Sequence, residues 1–159
     1  MILLEQNVQY LQYMIKIDYP ENAFRIKNGN GRELIFDEIR KTWLALTPEE
    51  WVRQNFVNYL QKSRQCPAAL IALEKQILVG EMVKRFDILI YDIHHQPWMM
   101  VECKSMDVPL NDAVLHQLLM YHLKVPVTYL VITNGTSCMC FKKENLQLVA
   151  LEAIPVYGN

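Results

Sequence analysis

The sequence predicts an α/β domain in which helices pack on a mixed β-sheet, and the order of its elements is the main reason. A helix start at 47–50 precedes three strand-like runs, a helical stretch from about 110 to 123 and a further buried strand. Strands that alternate with crossing helices favour a layered domain with parallel and antiparallel pairs. The 159 residues suit one domain, and 52% hydrophobic residues are enough for a core.

Residues 1–45 are interpreted as an N-terminal extension that contains a β-hairpin. Residues 24–27 alternate apolar and polar side chains, as a half-buried strand does. Asn28-Gly29-Asn30-Gly31 is a turn signal, and residues 34–36 return as a second strand. Residues 9–17 are compatible with a strand or with a short helix.

Residues 46–145 are interpreted as the core of the domain, which begins with a helix. Thr47 can cap this helix, Pro48 suits its first position, and Glu50 completes a capping box. Apolar residues at helical spacing then predict one buried stripe, formed by Val52, Phe56, Tyr59 and Leu60. Apolar runs of strand length cover residues 70–79, 86–93, 98–104, 128–133 and 137–142.

Composition excludes several classes of protein. The formal net charge of −1 gives no bulk attraction to nucleic acid. None of the four cysteines belongs to a C-x-x-C pair, so we expect reduced, buried thiols. No apolar stretch reaches the ~20 residues that span a bilayer, and the N-terminus lacks the pattern of a signal peptide. We therefore expect a cytoplasmic protein that does not insert into a membrane.

Three ionisable residues stand at the ends of two apolar strands. Asp87 begins the apolar part of the run 86–93, and Glu102 and Lys104 end the run 98–104. Glu102 and Lys104 share one face, because residues two apart in a strand point the same way.

The register between these strands decides whether Asp87 joins them. If the turn is residues 94–97, then Ile93 pairs with Trp98, and Asp87 lies opposite Lys104 and diagonal to Glu102. Diagonal neighbours are roughly 7–8 Å apart, within reach of one shared ion. A slip of one residue would move Asp87 to the other face.

Two carboxylates beside an ammonium group suit phosphodiester hydrolysis. Asp87 and Glu102 can hold Mg²⁺ or Mn²⁺, which polarises a phosphate and lowers the pKa of a bound water. Lys104 can orient that water and offset charge in the transition state. The alternative interpretation is a simple salt bridge at a sheet edge.

The helix at 110–123 contributes two further candidates. Leu110, Val114, Gln117 and Tyr121 share one helical face by their spacing. Gln117 could bind a phosphate oxygen or a water, and Tyr121 could bind the nucleic-acid backbone. Alternatively, both residues are ordinary parts of a helix edge.

The motifs together resemble a known family. Arg85-Phe86-Asp87, Val101-Glu102-Cys103-Lys104 and Gln117-Leu118-Leu119-Met120-Tyr121 resemble the D…ExK…QxxxY pattern of PD-(D/E)XK nucleases, specifically the N-terminal domain of type I restriction enzyme R subunits. Residues from about 20 onward look like a small stand-alone branch of that family.

The resemblance implies a restriction-endonuclease-like core of helix, three strands, helix and strand. It also implies an acidic residue from the first helix near the metal, for which Glu50 is the first choice and Glu49 the second. The capping box remains an equal alternative for Glu50. We expect DNA as the partner, with a homodimer or a partner protein to help grip it.

The chain lacks a G-x-x-x-x-G-K-[ST] loop, so the resemblance does not imply DNA translocation by this chain. The leading hypothesis is a Mg²⁺- or Mn²⁺-dependent DNA endonuclease that acts in restriction or repair. The rival hypothesis is a silent nucleic-acid-binding or assembly module that keeps the nuclease fold.

Overall fold

A computed structural model describes residues 10–145 and 147–159 of the chain, and it confirms the predicted α/β class. A small sheet precedes the first helix, and a larger mixed sheet lies between the two α-helices. Two short 3₁₀ turns cover Tyr10–Tyr13 and Ala68–Leu70. The remaining elements are β1 (Ile26–Gly29), β2 (Arg32–Asp37), β3 (Thr42–Ala45), α1 (Pro48–Ser63), β4 (Ile71–Val79), β5 (Met82–Tyr91), β6 (Pro97–Cys103), α2 (Asp112–His122), β7 (Tyr129–Thr133), β8 (Cys138–Glu144) and β9 (Gln147–Leu151).

The small sheet has the order β1-β2-β3 and is antiparallel throughout. It confirms the N-terminal hairpin, whose turn residues Asn30 and Gly31 both have positive φ, 53° and 77°. Such a two-residue turn matches the twist of the flanking strands. The strand β3 was not predicted. Of the ambiguous segment at 9–17, residue 9 lies outside the described residues, and Ile15 forms an isolated bridge to Cys138.

Helix α1 starts as predicted, but one half of its capping box is absent. Thr47 Oγ1 accepts a hydrogen bond from the Glu50 N–H at 3.1 Å. The Glu50 carboxylate does not return to the Thr47 N–H, which donates instead to the carbonyl of Ala45. The predicted stripe is buried: Val52, Phe56, Tyr59 and Leu60 are each at most 3% exposed.

The large sheet has the order β4-β5-β6-β7-β8-β9 and is buried on both faces. Only the β6–β7 pair within it is parallel, and α2 supplies the crossover that such a pair needs. Phe56 and Leu60 of α1 belong to the core on one face, and Leu115 and Leu119 of α2 belong to the core on the other. This arrangement leaves the strand ends of β5 and β6 between the two helices. The strand β9 was not predicted.

The predicted register between β5 and β6 is wrong by two residues. Tyr91 pairs with Pro97, but a bulge between Ile90 and Tyr91 shifts the register by one residue. Ile88 therefore pairs with Val101, and the next position places Asp87 opposite Glu102 rather than Lys104. The turn begins earlier than predicted, because Asp92 Oδ1 accepts hydrogen bonds from the N–H groups of His94 and Gln96. An even shift leaves every side chain on its predicted face.

No helix in the described ranges is long and apolar enough to cross a membrane.

Candidate active site

Asp87 lies at an irregularity in the β4–β5 pair, where its carboxylate is held from two sides. Opposite Asp87, the β4 residue Glu74 has a φ of 51°, and regular pairing is interrupted there. Asp87 Oδ2 accepts a hydrogen bond from the Cys103 N–H at 2.8 Å, and Oδ1 accepts one from Arg53 at 2.8 Å. The side chain is only 14% exposed. Its orientation is therefore fixed by both β6 and α1.

Glu102 and Lys104 lie beside Asp87 at the end of β6. Lys104 Nζ is 3.3 Å from Glu102 Oε1. Just beyond the strand, the Lys104 N–H donates to the carbonyl of Thr133 at 2.8 Å, which extends the ladder toward β7. The lysine side chain is one-third exposed, and that of Glu102 is 16% exposed. The structure thus brings together the three residues that the sequence selected.

The electrostatics of this group are dominated by two crowded carboxylates. Burial, and next the nearby charge of Asp87, raise the pKa of Glu102 to about 7. Lys104 acts in the opposite direction, but it does not cancel these effects. The location therefore favours an additional positive charge near Glu102.

Arg53 of α1 is the main site residue that the sequence did not reveal. It is 3% exposed, and its guanidinium contacts the carboxylates of four residues, Glu49 (3.2 Å), Glu50, Glu74 (3.2 Å) and Asp87 (2.8 Å). Burial alone would lower its pKa, but Glu50 and Asp87 raise the pKa above its ordinary value. Its Nε has no hydrogen-bond partner among the residues that the structure describes. Arg53 therefore serves as an internal counter-charge for Asp87.

Glu50 is not brought to Asp87 and Glu102 as a third free ligand. Its carboxylate accepts hydrogen bonds from Arg40 at 3.0 Å, from Gln54 at 2.8 Å and from Arg53. The alternative candidate, Glu49, is 48% exposed and pairs with Arg53 at 3.2 Å. Among the described residues, no group of three or more His, Cys, Asp and Glu side chains is arranged to hold a metal ion.

Helix α2 turns a different face to the sheet than its spacing suggested. Its buried residues are Leu115, Leu119 and His122, whereas Gln117 is exposed and Tyr121 is 50% exposed. Tyr121 lies near the sheet through Lys84, whose ammonium is 4.2 Å from the ring centre and donates to the Tyr121 carbonyl. No contact ties Gln117 to the carboxylates in the part of the chain described.

His122 is a second residue that the sequence did not select. Its Nε2 lies 3.7 Å from Glu102 Oε2, and its buried Nδ1 has no hydrogen-bond partner within residues 10–145 and 147–159. Burial and the nearby Lys84 lower its pKa to about 4, with a smaller contribution from Lys104 and an opposing one from Asp87. At neutral pH the imidazole is therefore uncharged. The sequence did not indicate this contact with Glu102, because it depends on which face of α2 packs against the sheet.

The four cysteines, Cys66, Cys103, Cys138 and Cys140, are free and buried, as expected.

Asp87, Glu102 and Lys104 together are called the carboxylate group below. Arg53 and Glu74, which lie near it, line an open groove. Its other lining residues are Arg40, Leu44, Ala45, Thr47, Pro48, Glu49, Glu50, Ser105 and Asp107. Asp87 is linked to this groove through its hydrogen bond with Arg53.

A helix, three antiparallel strands, a crossover helix and a parallel strand form a mixed α/β architecture compatible with a restriction-endonuclease-like fold. The family model described as "Type I restriction enzyme R protein N terminus (HSDR_N)" matches residues 48–155, and the chain belongs to this family. The match confirms the resemblance seen in the motifs and runs from the first residue of α1 to beyond β9. No curated protein matches the sequence.

Proposed function

We propose that this chain is a metal-dependent nuclease domain that hydrolyses phosphodiester bonds in DNA, in restriction or repair. The observation that carries the proposal is the group formed by Asp87, Glu102 and Lys104 at the end of β6. Membership of a restriction-enzyme family supports DNA as the substrate. The Lys104 side chain is one-third exposed, so its ammonium group can meet a substrate.

The residues present fit a hard divalent cation held by two carboxylates. Asp87 and Glu102 offer oxygen ligands, and burial, followed by the nearby charge of Asp87, raises the pKa of Glu102 to about 7. Mg²⁺ is often held by one or two carboxylates, with waters and substrate phosphate as its other ligands. When bound, Mg²⁺ or Mn²⁺ would supply charge for the phosphate and acidify a water.

The remaining roles belong to side chains of this chain. Lys104 would orient the attacking water and stabilise the negative charge that develops on the phosphate. Gln117 and Tyr121 are exposed on α2, so they are available to contact the nucleic-acid backbone. The neutral His122 beside Glu102 would restrict the positions that this carboxylate can take.

A cleavage assay tests the proposal. Purified protein is incubated with linear, supercoiled and single-stranded DNA in Mg²⁺, in Mn²⁺ and in EDTA. We expect cleavage that needs a divalent ion and that is lost in Glu102→Gln. The matched control is Glu144→Gln, because Glu144 also pairs with a lysine, at 3.1 Å, but lies on β8 and is 53% exposed. Absence of cleavage under every condition would refute a nuclease activity for this chain by itself.

One observation favours the second candidate, a nucleic-acid-binding or assembly module without catalysis. Arg53 already supplies Asp87 with a positive partner, so this carboxylate is balanced without a metal ion. The two candidates differ in their dependence on metal. The silent module predicts DNA binding that is equal in EDTA and Mg²⁺, and no cleavage by the wild type. A homodimer or a partner protein would increase the contact with DNA in either case.

A further inference from the structure

The small N-terminal sheet has an outward face on which cations lie over aromatic rings. Arg25, Lys27, Arg32, Phe36 and Trp43 form this face, which we call the N-terminal sheet face. Strand alternation places Arg32 and Phe36 on one side of β2, opposite the buried Ile35 and Asp37. On the inward side, Asp37 accepts a hydrogen bond from Gln54 of α1 at 3.1 Å. Arg25, Lys27 and Arg32 are exposed, and Arg25 and Phe36 also line a cavity against α1.

The rings and the cations of this face are in direct contact. Phe36 and Trp43 pair across β2 and β3, with ring centres 5.3 Å apart at an angle of 68°. The Arg25 guanidinium lies 3.7 Å from the centre of the Phe36 ring, and Lys27 Nζ lies 4.1 Å from that of Trp43. Flat rings next to cations are the groups that bind the bases and phosphates of an unpaired strand.

The charge of the face contrasts with that of the groove. The N-terminal sheet face carries three cations. Among the described residues, Arg25 is the only one of these three that forms a salt bridge, with Glu38 at 2.7 Å. The groove is lined by four carboxylates, those of Glu49, Glu50, Glu74 and Asp107, against the two guanidinium groups of Arg40 and Arg53. An acidic groove repels a polyanion, so attraction has to come from a neighbouring cationic surface.

The face and the groove share a strand. β3 carries Trp43 on the face and contributes Leu44 and Ala45 to the lining of the groove. β3 is also the outer strand of its sheet, so the groove runs along its free edge. A strand of DNA that lies on the face therefore needs to pass only this edge to approach the carboxylate group.

From these observations we infer that the N-terminal sheet face binds single-stranded DNA and holds it beside the groove. The inference rests on the proposed function for its choice of DNA. Lys27 and Arg32 contact phosphates, and the partly exposed ring of Trp43 stacks on a base. The residues that bind are thus separate from those that hold the metal and the water.

The test measures binding separately from cleavage. Fluorescence anisotropy follows a labelled single-stranded oligonucleotide in EDTA, with duplex DNA and single-stranded RNA of the same sequence as the other arms. We expect the double variant Lys27→Glu with Arg32→Glu to bind at least about tenfold more weakly. The slope of log affinity against log salt should fall by about 0.7 for each phosphate that the variant no longer neutralises. Lys142→Glu, at an exposed lysine of β8, is the control and should bind like the wild type.

A second variant keeps the charges and tests stacking. Trp43→Ala should weaken single-strand binding about fivefold or more, since stacking of a base on an aromatic ring contributes roughly that much. Circular dichroism checks that the small sheet still forms in each variant. Unchanged affinity and salt slope in the double variant would overturn the inference, as would an equal loss in Lys142→Glu or tighter binding to duplex or RNA.

The outcomes also separate this inference from the proposed function. If the wild type cleaves DNA but the double variant binds it unchanged, the inference that the N-terminal sheet face binds DNA is refuted, and the proposed nuclease activity stands. Binding that depends on the face, without cleavage in any metal, supports the face and refutes the catalytic proposal. Absence of binding to any DNA by the wild type overturns the inference outright.

Discussion

Arg53 and Asp87 are joined across 34 residues of sequence by a hydrogen bond of 2.8 Å from the guanidinium to Oδ1. The guanidinium is buried, and Asp87 is one of the two carboxylates proposed to hold a metal ion. A side chain of this chain therefore occupies one oxygen that an entering ion would use. A change at Arg53 should therefore alter both the stability of the protein and its affinity for metal. The two effects can be measured separately.

Replacing Arg53 with Met should destabilise the apo protein and increase its response to metal. The change leaves the carboxylates of Glu50 and Asp87 without their shared cation, which typically costs about 3–5 kcal/mol of unfolding free energy. An ion can then bind Asp87 without competing with the guanidinium. Chemical denaturation in EDTA measures the loss, and thermal melts with added Mn²⁺ measure the response.

The matched control for this variant is Arg85→Met. Arg85 also pairs with Glu74, but its side chain is 57% exposed, so its loss should cost less than about 1 kcal/mol. Arg85→Met and the wild type should show similar Mn²⁺-induced shifts in melting temperature. An equal shift in Arg53→Met would show that Arg53 does not compete with the ion.

Divalent ions should bind weakly, and binding should require Asp87. In Asp87→Asn the side chain can still accept the hydrogen bond from the Cys103 N–H, so the strands should stay in register. The lost negative charge removes most of the attraction for a hard cation. Isothermal titration calorimetry with Mn²⁺ should show heat for the wild type and for Glu144→Gln, and none for Asp87→Asn. Heat that persists in Asp87→Asn would place the ion elsewhere.

The carboxylate group was predictable from sequence because it depends on strand alternation. Glu102 and Lys104 share a face in any strand, and the turn places Asp87 on that face for every even register. The turn starts at Asp92, earlier than the His-His-Gln-Pro stretch suggested, and a bulge between Ile90 and Tyr91 then brings the error to two residues. The identity of the opposite residue was therefore wrong, although the face was correct.

Arg53 could not be predicted because its position depends on how α1 packs against β4 and β5. By spacing it is simply a charged neighbour of the buried Val52, and arginines are usually exposed. The visible signal was local: Glu49 and Glu50 precede it by four and three residues, which places all three on one side of the helix. Its contacts with Glu74 and Asp87 are tertiary and have no such signal.

The buried face of α2 was ambiguous for a different reason. Val114, Leu115, Leu118 and Leu119 are all apolar, so the spacing fits two faces. The face with Leu115 and Leu119 is the buried one, and it carries His122 toward Glu102. Which of two apolar faces packs inward depends on the shape of the sheet beneath it.

Glu50→Gln should separate a structural role from a metal-binding role. Its carboxylate accepts hydrogen bonds from Arg40, Gln54 and Arg53, so we expect a loss of unfolding free energy of about 1–3 kcal/mol. Because these partners already occupy the carboxylate, Mn²⁺ affinity should change less than about threefold, well under the tenfold that 1.4 kcal/mol represents. Calorimetry and denaturation on the same samples measure both quantities. A loss of metal binding as complete as that in Asp87→Asn would restore Glu50 as a ligand.

Lys104→Ala should abolish most cleavage while leaving folding and metal binding nearly intact. Its side chain is one-third exposed and pairs only with Glu102 among the described residues, so little packing is lost. In the proposed reaction it stabilises charge that develops in the transition state, and removal of one such group typically lowers the rate by about 10²–10³. Gln117→Ala should lower the rate less, because a neutral amide only positions a water or a phosphate. Lys41→Ala is the control, since Lys41 also pairs with a glutamate, at 3.2 Å, but is 71% exposed and lies beside β3. Initial rates on single-stranded and linear DNA at saturating Mg²⁺ measure these effects, and calorimetry with Mn²⁺ checks the metal site. Cleavage that survives Lys104→Ala at the wild-type rate would show that another residue supplies the charge.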